Sequence, residues 1–166
     1  MGSGIELKCS ECGKKYSAWT GIGFMFPEVY KETLNDVKKG KYGEEWKALS
    51  LSEELVAVDA EKYLYVCPKC GHWIVERGLS LYAPKDLDQL KKKQYGIKTV
   101  EEWGEVPYVM SMDLKENYHI LKRRIHKCKK CDGIMHKATP EEERILSCPD
   151  CGGAPLEGYI GFVNWD

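Results

Sequence analysis

Cys128-Lys-Lys-Cys131-Asp-Gly-Ile-Met-His-Lys-Ala-Thr-Pro-Glu-Glu-Glu-Arg-Ile-Leu-Ser-Cys148-Pro-Asp-Cys151 is the stretch on which the reading of this chain turns. Two Cys-x-x-Cys pairs at this distance have the spacing of a structural zinc site, in which four thiolates close a tetrahedron around one ion. The same pattern stands twice more, as Cys9-Ser-Glu-Cys12 and Cys67-Pro-Lys-Cys70, and no cysteine is left over. Cys9, Cys12, Cys67, Cys70, Cys128, Cys131, Cys148 and Cys151 are therefore the predicted ligands of two tetrahedral ions.

The residues around each pair fit that chemistry. A tight turn between two cysteines aims backbone N–H groups at the sulfurs, and a glycine after the second cysteine suits the left-handed conformation the turn needs. Gly13, Gly71 and Gly152 stand at that place. Cys131 is followed by Asp132 before Gly133, which predicts a slightly wider knuckle, although Asp tolerates this conformation better than most residues. Pro68 and Pro149 preset one backbone angle inside their turns. Sequential pairing, 9/12 with 67/70 and 128/131 with 148/151, closes the shorter loop at the second site and is the favoured arrangement. The nested alternative, 9/12 with 148/151 and 67/70 with 128/131, makes one interlocked domain. His72, His126 and His136 lie near the knuckles, but eight sulfurs already fill two tetrahedra, so histidine is read as a surface or supporting residue.

These pairs resemble the zinc-ribbon superfamily, in which knuckles on two β-hairpins clasp one zinc. The likeness covers residues 120 to 166, and in looser form 5 to 20 and 60 to 82, where a long insertion replaces the usual short loop. Gly21-Ile-Gly-Phe24 and Pro27-Glu-Val-Tyr30 after the first knuckle are similar to small bacterial zinc-ribbon proteins, a likeness that implies no activity. Cys67-Pro-Lys-Cys-Gly71 is similar to the second knuckle of rubredoxins, which keeps iron as the minor alternative to zinc. Redox use is disfavoured, because no pair opens a helix in a βαβ setting as a thioredoxin-like dithiol does.

The fold expected is α+β: two zinc-ribbon β modules, at 1–83 with a helical insertion and at 119–166, joined by a connecting segment at 84–118. Tyr and Trp are plentiful, ten and five in 166 residues, which predicts compact modules filled by a few large side chains around metal staples. Strands are expected at 5–7, 16–19, 56–58 and 63–66. A pair of strands, or one bent strand, is expected over 73–77 and 79–82. Apolar residues at helical spacing behind Pro27 and before Gly40 predict a helix over about 28–39. A second helix is expected at 44–51, continued or restarted at 52–55, and a third from Leu87 to near Gly96. Between 97 and 118 the pattern offers a strand at 106–112 and a turn or helical turn at 113–118. A basic strand over 120–127 and a strand over 158–163 complete the second module.

Net charge is −1, which excludes a chain that binds nucleic acid by bulk charge but leaves local patches. Lys122, Arg123, Arg124, Lys127, Lys129 and Lys130 form such a patch. On a strand, Lys122, Arg124 and His126 share one face, a basic stripe for phosphates with Tyr118 and Tyr159 near enough to stack bases. Against it stands a solvated strand whose charge Glu141, Glu142 and Glu143 offset across a hairpin. Trp19, Phe24, Phe26, Tyr30 and Trp46 are expected to form the core between ribbon and helices, and any exposed part of that group to be a partner-binding patch. No apolar run has the length of a membrane span, and the first eight residues lack a signal-peptide core, so a cytoplasmic protein with reduced thiols is expected. No serine elbow, phosphate loop or zinc-protease helix motif occurs, and four thiolates leave a zinc no open position. The expectation is a non-enzymatic zinc protein that recognises another protein as an adaptor, with nucleic-acid binding through the basic patch as the alternative.

Overall fold

A computed structural model describes residues 2–159, and within them the chain is mixed α+β with small antiparallel sheets. In chain order the elements are β1 (Ser3–Lys8), β2 (Lys15–Thr20), α1 (Phe26–Lys38), α2 (Glu44–Ser50), β3 (Ala57–Val58), β4 (Lys62–Val66), β5 (Trp73–Arg77), β6 (Leu81–Pro84), α3 (Leu87–Lys92), β7 (Gln94–Tyr95), β8 (Lys98–Thr99), α4 (Val100–Trp103), α5 (Ser111–Asn117), β9 (Tyr118–Lys122), β10 (His136–Lys137), α6 (Pro140–Glu143) and β11 (Glu157–Tyr159). The expected strand over 158–163 lies outside the described residues beyond Tyr159. Among the described residues no helix is long and apolar enough to cross a membrane.

Two compact units share the chain, and neither is continuous. The first takes the chain up to Phe24, then Lys62–Arg77, then the chain from Ile125; the second takes Met25–Glu61 and Gly78–Arg124.

The first unit holds two three-stranded sheets, in the orders β11-β1-β2 and β10-β4-β5. In each, an antiparallel hairpin from early in the chain gains its third strand from the C-terminal segment. The register puts Lys8 opposite Glu157 in one sheet and Val66 opposite His136 in the other. Leu7, Ala18, Leu64, Trp73, Leu146 and Leu156 close over the sheets as one buried apolar cluster.

The second unit packs α1 and α2 with the sheet β3-β6-β9. Helix α1 starts as the sequence predicts, with Pro in its first turn, where a missing N–H costs nothing, and buries Tyr30, Thr33 and Val37 on one face. It stops at Gly40, whose φ of 83° lies in the left-handed region that favours glycine. The centre is made of Val37, Ala57, Val58, Leu81 and Ala83, each 0% exposed.

Three local expectations change. Residues 52–55 form a turn with Leu55 at φ 54°, so α2 neither continues nor restarts. The strand expected over 106–112 is absent: Pro107 withholds an N–H, and α5 begins at Ser111 instead. Strand β9 ends at Lys122, so the basic strand expected to run to Lys127 is cut short. The 73–77 and 79–82 segments do form two strands, β5 and β6, but in different sheets.

Candidate metal centre

Each Cys-x-x-Cys pair is a hairpin loop built to one pattern. The first cysteine donates its N–H to a carbonyl five residues on, Cys9 to Lys14 at 2.9 Å, Cys67 to His72 at 2.8 Å, Cys128 to Gly133 at 2.8 Å and Cys148 to Gly153 at 2.7 Å. Its own carbonyl accepts from the N–H four residues on, at Gly13, Gly71, Asp132 and Gly152, each 2.9 Å away. Those four residues have φ between 55° and 78°, the left-handed region the turn requires. Asp132 adopts it like the glycines, so the third knuckle is not the wider one expected. Within the loops, the N–H of Cys12 points at Cys9 Sγ (3.5 Å), that of Lys130 at Cys128 Sγ (3.4 Å) and that of Gly153 at Cys151 Sγ (3.5 Å).

The knuckles pair in the nested order. Cys9, Cys12, Cys148 and Cys151 form an outer group and Cys67, Cys70, Cys128 and Cys131 an inner group, the sulfurs of each lying within 4.8 Å of one another. The pairing favoured from loop closure is corrected, and the sheets give the reason. Strand β11 follows the fourth knuckle and pairs with β1, which leads into the first; β10 follows the third and pairs with β4, which leads into the second. The outer closure of 136 residues between Cys12 and Cys148 is roughly three doublings of the short loop, about 2 kcal/mol. Strand pairing and a shared core outweigh a cost of that size.

Both groups fit a tetrahedral ion. At a Zn–S bond of about 2.3 Å, a tetrahedron has an S···S edge of about 3.8 Å. Observed separations are 3.5 Å for Cys9–Cys151, 3.7 Å for Cys12–Cys148, 3.4 Å for Cys67–Cys131 and 3.5 Å for Cys70–Cys128. Four sulfurs so close cannot all ionise without a cation among them. Burial works against ionisation of Cys67, but the Cys70 and Lys69 amides and the Cys131 thiol overcome it and hold the group down to about 6. Burial likewise opposes Cys148, and the Tyr16 hydroxyl with the Cys151 and Asp150 amides brings it to about 6. At Cys131 the Gly133 amide pulls downward, yet the thiols of Cys67 and Cys70 push it up to about 12. Cys151 is also pushed up to about 12: the Gly153 amide lowers it, and Cys9, burial and Cys148 prevail. A divalent cation removes that conflict, because it lets all four sulfurs carry charge.

The histidines stand outside both groups. His126 is buried, stacks on Tyr65 with ring centroids 3.8 Å apart, and sets Nδ1 3.1 Å from Glu76. His136 Nε2 lies 2.8 Å from Glu142.

The residues of the basic patch divide between the two units. In the second unit, Lys122 pairs with Glu45 at 2.7 Å, and Arg124, half-buried, lies 5.2 Å from the Trp46 ring centre. In the first unit, Ile125 is exposed and His126 is buried, Lys127 faces Asp132 at 3.8 Å, and Lys130 Nζ donates to the Pro149 carbonyl. Arg123 and Lys129 are exposed. Among the described residues, Lys122 and Lys127 pair with Glu45 and Asp132, and the run 141–143 lies in α6. Of the expected aromatic core, Tyr30 and Trp46 are buried in the second unit, and Phe24 of the first is 58% exposed.

Two residues of the site went unread in the sequence. Tyr16 sets its hydroxyl 3.0 Å from Cys148 Sγ and 2.5 Å from Asp150, and Trp73 donates its indole N–H to the Ser147 carbonyl at 3.0 Å. Both aromatics lie far along the chain from what they touch, so no spacing rule finds them. Searches with this chain match no family model, no curated protein and no solved structure.

Proposed function

We propose that this chain is a non-enzymatic zinc protein whose two ions, one in each four-cysteine group, hold the first unit together in zinc-ribbon fashion, and that it serves as an adaptor recognising another protein. The observation that carries the metal reading is the gathering of eight cysteines into two groups of four, each spaced for a tetrahedral ion. Four sulfurs close the coordination shell, whereas catalytic zinc keeps one position for water or substrate. Support for a protein partner comes from the large apolar side chains at the surface, Phe24 in the first unit and Leu51, Ile97 and Met112 in the second, all more than half exposed. The nucleic-acid alternative is weakened by the engagement of Lys122, Arg124, Lys127 and Lys130 with groups of the protein itself.

Metal analysis of the purified chain tests the first half: two zinc ions per chain are expected, and a strong chelator should unfold the first unit, because metal binding at such sites contributes folding free energy on the order of 10 kcal/mol. A folded chain without metal, or with iron, removes the zinc reading. A salt titration tests the second half. Binding of single- or double-stranded nucleic acid that falls steeply with salt replaces the adaptor reading, since phosphate contacts carry that dependence.

A further inference from the structure

We infer that the outer and inner cysteine groups bind metal cooperatively, each ion raising the affinity of the other group; this rests on the reading of both groups as metal sites. The groups share an apolar core. Cys9 and Cys148 of the outer group pack in the same buried cluster as Val66 and Trp73, the residues that enter and leave the inner knuckle at Cys67 and Cys70.

Polar contacts join the same loops. The Trp73 indole N–H reaches the carbonyl of Ser147, which immediately precedes Cys148. Tyr16, whose hydroxyl lies 3.0 Å from Cys148 Sγ, meets the Trp73 ring edge-on with centroids 5.9 Å apart. Lys130, inside the inner knuckle 128–131, donates to the carbonyl of Pro149, inside the outer knuckle 148–151. An ion that orders either group therefore places loops the other group needs.

Chain topology acts in the same direction. Cys70 and Cys128 of the inner group are 58 residues apart, and Cys12 and Cys148 of the outer group are 136 apart and enclose them. Closing the inner group takes its loop out of the outer one and shortens the chain left to close by somewhat under half, worth about twofold in affinity by loop-closure entropy alone. With the packed contacts added, a coupling of at least fivefold is expected, the lower end of ordinary coupling between sites, and it must be equal in both directions.

Native mass spectrometry of the full chain during a chelator titration counts chains with no, one and two zinc ions. Independent equal sites give about half of the chains singly loaded at the midpoint, and fivefold coupling brings this to about a third or less. Two further chains keep all eight cysteines: Trp73→Phe preserves a ring but removes the indole N–H, and Lys130→Met removes the donor to Pro149. In both, two ions are expected at saturation and the singly loaded fraction should rise above that of the native chain. A native chain whose singly loaded form reaches half or more, or variants indistinguishable from it, overturns the inference while leaving two bound ions and the proposed function in place. A chain that takes up no zinc overturns both.

Discussion

Asp132 shows how narrow the tolerances at a knuckle are. At φ 55° it occupies a position that glycine fills in the other three turns, and its carbonyl-linked N–H completes the loop around Cys128. A β-branched residue there meets its own backbone, so Asp132→Val is expected to cost about 1–2 kcal/mol. Asp132→Gly is expected to melt at the native temperature or slightly above it. Thermal melts of the zinc-loaded chains check both, and a valine variant as stable as the native chain would show that the turn is held by the metal rather than by backbone preference. This residue was partly legible from sequence: Asp is among the few side chains that enter the left-handed region, but the width of the turn had to be seen.

Among the elements, α6 offers a pH test away from the cysteines. Thr139 caps its N-terminus and Glu142 reaches back to the Thr139 N–H at 2.9 Å, while its carboxylate also meets His136. The Thr139 amide first, then the His136 ring, hold the Glu142 carboxyl below its ordinary value of 4.5. A depressed carboxyl pKa favours the folded state only in the ionised form, so its contribution is complete above 4.5 and is lost as pH falls through the lower folded value. Glu142→Gln should therefore lower the melting temperature at pH 7, with the difference closing towards pH 3. A difference that stays constant over that range would place the effect in packing instead. Helices α1 and α2 were readable because apolar spacing, Pro27 and Gly40 all act locally; the strand expected over 106–112 was not, because a strand exists only where a partner pairs with it.

At the scale of the whole molecule, the nested pairing is the feature that metal counts can decide. With zinc in excess, Cys9→Ala combined with Cys148→Ala is expected to leave one ion per chain, because both substitutions fall in the outer group. Cys9→Ala with Cys67→Ala touches both groups and should leave none. Sequential pairing exchanges the two results, so elemental analysis of the two double variants separates the arrangements directly. Each unit is assembled from distant stretches, three for the first and two for the second. Metal bound across the first unit therefore ties the beginning of the chain to its C-terminal segment.

What the sequence determined alone was local: eight sulfurs, four turns of one type, and helices punctuated by Pro and Gly. Those features depend on residues within five positions of each other, where backbone sterics and hydrogen-bond geometry leave little choice. Only the tertiary structure decided which knuckles share a group, that Tyr16 and Trp73 serve the site, and that Lys122 and Arg124 are engaged over Glu45 and Trp46. Loop entropy, the one sequence-level guide to pairing, changes slowly with length, and the register of β10 on β4 and β11 on β1 overrides it.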